Sequence, residues 1–434
     1  MSPQVVGLVG MASLLVLIFI RLPVAVALIA VGLFGYAAID GWGKALLILG
    51  STPFDIASGY ALSVVPLFIL MGQITSEAGM SAKLFSGAKS LFNGFRGAEA
   101  MATIGACAGF GAICGSSLAT AATMSRLAIP EMRKAGYDDR LSTGAVAAGG
   151  TLGILLPPSI IFIVYAIIAR QSVAKLFAAG LLPGLVLTVL YMAVVVLLVT
   201  LRPSLAIAGD RLSWRKRLRN LGDTWEIALL FGLAIGGMYL GWFSPTEAAA
   251  IGATCAAVLS LASRRISVAQ FWDCVVRTVR TTAMLFFIMI GAFVFSYFVV
   301  LTQLPASLVT FVGHLGLSPI AMMVTLIGVY IILGCFLDGI GMMLVTVPIF
   351  FPLVVQNGFD PVWFGVILVV VVEMGLIHPP VGMNLFVIRA EIPDVSLKAV
   401  YLGVLPFLAA QAILIALLLA FPKMATWLPD LLYP

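Results

Sequence analysis

The sequence carries very little charge. Only 10% of its 434 residues are Asp, Glu, Lys or Arg, against about 25% in a soluble domain. So few charges cannot cover a water-facing surface. A soluble globular protein is therefore excluded, and lipid is the main solvent of the chain. Histidine is nearly absent: His314 and His378 are the only two, which argues against a transition-metal site. The five cysteines, Cys107, Cys114, Cys255, Cys274 and Cys335, share no ligand spacing and read as buried, reduced thiols. Alternating segments of about 10 residues, the mark of a membrane barrel, are also missing. The net charge of +6 sits in short loops, so it speaks of membrane orientation and not of nucleic acid.

What is present is apolar. Hydrophobic residues make up 62% of the chain, in runs of about 20 residues, long enough to span a bilayer. Lipid offers backbone groups no partners, so spanning segments must be helical. The expected fold is an all-α polytopic membrane protein. Residues 5–20 lack a basic n-region and a cleavage site, so they read as a retained span.

Landmarks recur at a nearly fixed offset. Pro130 and Pro352 are 352 − 130 = 222 apart. Gly136-Tyr-Asp138 returns as Gly358-Phe-Asp360, Pro157-Pro158 as Pro379-Pro380, and Arg21-Leu-Pro23 as Phe243-Ser-Pro245, all at 222. Leu182-Pro183 returns as Leu405-Pro406 at 223. Five landmarks in one order imply duplication. Residues 1–201 form the first copy, 202–222 a basic cytoplasmic linker with Arg202, Arg211, Arg215, Lys216, Arg217 and Arg219, and 223–434 the second copy.

Charge placement gives the expected path. Spans run to Ile20 and to about Ile39; an outer loop follows, then a span from Ala61 to Ser76. Lys83, Lys89 and Arg96 oppose Leu84, Ala88, Leu91, Phe92 and Phe95 on an amphipathic arm, which suits the cytoplasmic interface. Residues 97–135 hold two apolar stretches of about 12 to 15 residues, too short to span, and read as a re-entrant hairpin. A broken helix over 140–170 and a span ending at Leu201 complete five crossings. An odd number inverts the second copy, with an outer arm at 302–318, a hairpin at 318–356 and a broken helix at 361–391. Both termini then lie outside. Inverted repeats of this kind mark secondary transporters.

Chemistry concentrates at the hairpin tips and the breaks. The first tip is Gly115-Ser116-Ser117; the second runs from Gly334 through Asp338 and Gly339 to Gly341. Asp338 matches Ser116 at offset 222. A carboxylate at membrane depth suggests an ion ligand; a plain helix N-cap is the other reading, and both roles are compatible. Each break has paired prolines, which remove amide donors and free carbonyls one turn back. Those carbonyls suit a hard monovalent cation such as Na⁺, and half-helix N-termini suit an anion. A packing kink is the bland alternative. Glu247 reads as a cap, Glu373 as an ion ligand or a brace, and His378 as a neutral, hydrogen-bonded imidazole. Arg126 and Arg389 read as anion attractors or as snorkelling side chains.

Gly115-Ser-Ser-Leu-Ala-Thr120, Ile129-Pro-Glu-Met132, Leu155-Leu-Pro-Pro-Ser159, Ser244-Pro-Thr-Glu-Ala-Ala-Ala250 and His378-Pro-Pro-Val-Gly-Met-Asn384 resemble the large membrane subunit of tripartite ATP-independent periplasmic (TRAP) transporters. His378 departs from the Thr often found there. The resemblance implies a multi-pass protein of the bacterial inner membrane and an elevator-type, Na⁺-driven importer of organic anions such as C4-dicarboxylates or sialic acids, not an enzyme. It implies two separate partner polypeptides, a periplasmic substrate-binding protein and a small four-helix membrane subunit. The expected Na⁺ ligands are Gly115, Ser116, Ser117, Gly153, Pro157, Gly334, Asp338, Gly339, Gly375 and Pro379. The expected substrate contacts are Ser117, Pro158, Ser159, Gly341, Gly382 and Asn384. A self-sufficient Na⁺/dicarboxylate carrier of related fold is the alternative.

Overall fold

The apolar runs fold into helices throughout the computed structural model, which describes residues 2–207, 213–334 and 337–433. Arg211 of the basic linker and Cys335 of the second tip lie outside the described residues. Among the described residues, six helices are long and apolar enough to cross a membrane, or up to eight if each bent pair counts as one span. The protein is therefore an all-helical, multi-pass membrane protein.

Two segments position the candidate site in each half. The first hairpin consists of Ala98–Cys114 and Ser117–Lys134. The first broken helix follows as Asp139–Leu155 and Ile160–Ile168, bent by 42°. The second hairpin consists of Pro319–Gly334 and Gly339–Gln356, and the second broken helix of Pro361–Ile377 and Met383–Glu391. The starts at Ser117 and Gly339, and at Asp139 and Pro361, are again 222 apart.

The repeated Gly-x-Asp sequences explain those starts. Gly136 and Gly358 have φ of +78° and +81°, a region that glycine enters without steric cost. There the chain leaves one helix. Two residues later Asp138 accepts from the Arg140 amide at 2.7 Å, and Asp360 accepts from the Val362 and Trp363 amides at 2.8 Å. A carboxylate N-cap thus begins each broken helix.

Hairpin and broken helix meet at backbone distance. A Cβ on Gly111 would lie 2.4 Å from the Cα of Gly153, and one on Gly375 would lie 2.9 Å from the Cα of Gly334. Only glycine permits such an approach, which is how helices pack closely in lipid.

Part-buried ion pairs hold the first arm in place. Glu226 receives Arg265 through both terminal guanidinium nitrogens and Lys83 of the first arm, Met80–Phe92, at 3.4 Å. Glu99 of the first hairpin receives Lys89 at 3.3 Å and the Tyr137 hydroxyl at 2.6 Å.

The structure differs from the sequence reading in four places. The segment expected as an outer loop is a helix, Trp42–Ser58; its polar Ser51, Thr52 and Asp55 and its internal Pro53 hide the helical period. In the second half the matching stretch is one continuous helix of 34 residues, Val268–Leu301, where Val275 and Thr281 replace Pro53 and Gly59. The hairpin limbs are longer than the apolar stretches suggested, at 17 and 18 residues in the first and 16 and 18 in the second, because capped helices continue into polar sequence. The basic linker contains a helix, Trp214–Gly222, held on the first arm by Asn220 donating to Ser90 at 2.8 Å and Arg217 to the Asn93 carbonyl at 2.9 Å. Loop composition masks a helix whose stability comes from that docking.

Gly111→Val should destabilise the protein by about 1–3 kcal/mol through overpacking against backbone, read as a lower melting temperature in detergent. Gly50→Ala, where nothing lies within 4 Å of the added Cβ, should leave the melting temperature unchanged or raise it. Equal losses in the two variants would remove the close-crossing argument.

Candidate functional site

Both hairpin tips are built as helix N-termini. At the first, Gly115 turns the chain with φ of +64°, and Ser116 accepts from the Ala119 amide at 3.4 Å. Thr120 donates to the Ser116 carbonyl at 2.8 Å. At the second, Asp338 accepts from the Gly341 amide at 2.9 Å through one carboxylate oxygen. Asp338 is therefore a cap, as one of the two sequence readings held. A carboxylate has about four acceptor positions, so capping leaves capacity for a cation.

The breaks lie directly behind the tips. In the first, Leu156 closes the long half, and buried Ser159 caps the short half by accepting from the Phe162 amide at 3.3 Å. A Cβ on Gly115 would come within 2.7 Å of the Pro158 carbonyl oxygen, so the first tip rests on the first break. In the second, Gly382 opens the short half with φ of +56°. His378 Nδ1 donates to the Pro379 carbonyl at 2.6 Å, and the Tyr401 hydroxyl donates to the Pro380 carbonyl at 2.7 Å. The peptide bond between the paired prolines is cis in both breaks.

One cavity of about 220 Å³ is lined by both tips: Gly115, Ser116 and Ser117 from the first, Asp338 and Gly339 from the second. Ile154 and Leu376 close it from the broken helices, and Thr281, Met284 and Leu285 from the long helix Val268–Leu301. The remaining expected residues stand behind this wall. A Cβ on Gly153 would lie 3.1 Å from the Ser116 carbonyl oxygen. Pro157, Pro158, Pro379 and Gly382 form the breaks, and Gly334 abuts Gly375. Gly341 packs against the Asp338 carboxylate that caps its amide. Asn384 is fully buried and donates to the Ser117 hydroxyl at 2.8 Å and to the Ala147 carbonyl at 3.3 Å. The first tip is thereby joined to the second break, across 267 residues of sequence.

Other charges named from sequence also find their places. Glu247 closes a capping box with Ser244. Arg126 is held by Glu391 through two bonds of 2.5 and 2.6 Å, and Arg389 donates to the carbonyls of Pro393 and Val395. Both guanidinium groups are thus engaged within the protein. Glu373 is fully buried.

Sequence reasoning missed Thr281, Met284, Leu285 and Tyr401. The first three share one helix face at i, i+3 and i+4, but that spacing looks like any span. Nothing in the sequence marks Tyr401 as the partner of a broken backbone.

Within a mostly apolar lining, Ser116, Ser117, Thr281 and Asp338 bring hydroxyls and one carboxylate, hard oxygen donors suited to an alkali cation. The N-termini of Ser117–Lys134 and Gly339–Gln356 open at the same cavity, where their amides and dipoles favour an anionic group.

Residues 11–424 match the family model described as tripartite ATP-independent periplasmic transporter, DctM component. A C4-dicarboxylate TRAP transporter large permease of Pseudomonas aeruginosa is 36% identical, over 87% of this chain and 88% of the relative. A sialic acid TRAP transporter large permease of Vibrio cholerae is 30% identical, over 96% of each chain. Among solved structures, the Alcanivorax borkumensis YdaH transporter superposes with a TM-score of 0.65 at 16% identity, covering 88% of this chain and 90% of that one. Neisseria gonorrhoeae MtrF superposes with a TM-score of 0.60 at 15% identity, covering 89% and 85%. These two likenesses concern the fold.

The Ser117–Asn384 pair should show energetic coupling. Ser117→Ala and Asn384→Ala each leave a buried group without its partner, at a cost of about 1–3 kcal/mol. The double variant should cost less than the sum, by about 0.5–3 kcal/mol, in thermal unfolding of purified protein. Strict additivity would show that the pair is not an energetic link.

Proposed function

The chain belongs to the family of large membrane (DctM) components of tripartite ATP-independent periplasmic transporters, and from that premise we propose that it imports a small organic anion, driven by a Na⁺ gradient. The single observation that carries this reading is the shared cavity, where Ser116 and Asp338 from the two tips face one space. Such a space suits an anion flanked by cation sites. C4-dicarboxylates and sialic acids, the substrates named for its relatives, define the expected carboxylate class.

The Na⁺ ligands in this reading are Ser116, Ser117 and Asp338, with backbone of Gly115, Gly153, Pro157, Gly334, Gly339, Gly375 and Pro379. The anion sits between the tips, on Ser117 and the half-helix ends at Ser159, Gly341 and Asn384. The halves are inverted in the bacterial inner membrane, with both termini periplasmic. Hairpins and broken helices move as one body against the arms and long helices. Supporting this division, the tips contact the breaks at backbone distance, while Thr281, Met284 and Leu285 face them from the long helix across the cavity. A separate binding protein delivers the anion, and a small four-helix subunit braces the arms.

Asp338 separates capping from ion binding. Asn caps about as well as Asp, so Asp338→Asn should preserve expression and thermal stability while abolishing Na⁺-dependent uptake in proteoliposomes containing all three components. Unchanged Na⁺ dependence would sink the ion-ligand role. Omitting the binding protein should abolish uptake by the unaltered protein; uptake by this chain alone would identify a self-sufficient carrier.

A further inference from the structure

Glu373 lies one turn before the second break, in the long half of the second broken helix, and is fully buried. Neither carboxylate oxygen has a hydrogen-bond partner among the described residues. Three other buried polar side chains, Tyr191, Thr151 and Gln411, lie on helices packed against its own. The Tyr191 hydroxyl lies beside the Glu373 carboxyl and the Gln411 amide, and shares a hydrogen bond of 3.1 Å with Thr151 Oγ1. Thr151 is the counterpart of Glu373 in the first half, at offset 222. Four helices contribute one group each: Asp139–Leu155, Val173–Leu201, Pro361–Ile377 and Leu397–Ala420.

No basic side chain of these helices is near. Arg140 precedes Thr151 by 11 residues, Lys175 precedes Tyr191 by 16, and Lys398 precedes Gln411 by 13, which is about 16–24 Å along a helix. The half of the second broken helix that carries Glu373 has no Lys, Arg or His. An ionised carboxylate here lacks a counter-charge, and burying one without a partner is costly. A proton removes the charge and supplies one donor, but one donor cannot serve both Glu373 oxygens and the Gln411 amide oxygen, none of which has a partner among the described residues. An ion coordinated by oxygen resolves both demands. Two carboxylate oxygens, two hydroxyls and an amide oxygen are a hard donor set, and the single negative charge matches a monovalent ion.

We propose that Glu373, Tyr191, Thr151 and Gln411 form a monovalent alkali-cation site at the seam of the two broken helices, separate from the hairpin tips. Its ligands come from both halves of the chain, so occupation ties the two broken helices together. The site does not depend on cation binding at Ser116 or Asp338.

The test is radioactive Na⁺ binding and Na⁺-dependent thermal protection, against choline, on purified full-length protein. Glu373→Gln should fold, lose one bound ion per chain and lose part of the Na⁺ protection. Tyr191→Phe removes one ligand of several and should raise the Na⁺ concentration for half-maximal protection by about tenfold, equivalent to about 1.4 kcal/mol. Added to Asp338→Asn, Glu373→Gln should remove a further ion, which separates this site from the tips whatever happens there. Wild-type stoichiometry and affinity in Glu373→Gln would overturn the proposal. If that variant fails to fold, Tyr191→Phe and infrared spectroscopy of the unaltered protein decide. Unshifted half-maximal protection in Tyr191→Phe, or a protonated-carboxyl band in saturating Na⁺ that isotope editing assigns to glutamate, would overturn it as well.

Discussion

Lipid cannot hydrogen-bond a peptide group, and the architecture depends on that constraint. Every helix that stops inside the membrane leaves amides at one end and carbonyls at the other. This chain ends helices within its packed helical body, at two tips and two breaks. It satisfies them locally: Ser116, Ser159 and Asp338 cap amides, while His378 and Tyr401 take the carbonyls of Pro379 and Pro380. Two of these groups, Ser116 and Asp338, also line the cavity shared by the tips.

Close approach is the second consequence. Without water between helices, packing and hydrogen bonds supply the association energy. The glycine contacts at Gly111 with Gly153 and at Gly334 with Gly375 bring each tip onto its own break. The Ser117–Asn384 bonds then join one half to the other. The first tip is thus held by backbone contact to its own half and by a side-chain pair to the opposite one.

The two halves share a plan and differ in chemistry. Ser116 and Asp338 both cap, but only one carries charge. Leu156 precedes the first break and leaves its carbonyls to the surroundings. His378 precedes the second and bonds there. Thr151 and Glu373 occupy matching positions and differ in the same sense, with the acid in the second half. The matching positions share geometry, and the negative charge stands in the second half alone.

The membrane class, the tips and the breaks were legible from the sequence, because apolar run length, Pro-Pro pairs and Gly-x-Asp stops act locally and act the same way in any fold. Capping by Asp338 and Glu247 was legible for the same reason. Other features were decided only in three dimensions. Trp42–Ser58 and Trp214–Gly222 are helices because neighbours dock on them, against loop-like composition. Thr281, Met284 and Leu285 line the cavity, and Tyr401 serves the second break, because tertiary packing carried them there. Arg126 is engaged by Glu391, 265 residues away, which only folding brings close, whereas Arg389 is taken up by carbonyls that follow it closely in the chain. The isolation of Glu373 is likewise a property of the fold: a sequence shows that an acid is present, but only the packed helices show that none of the described residues pairs with it.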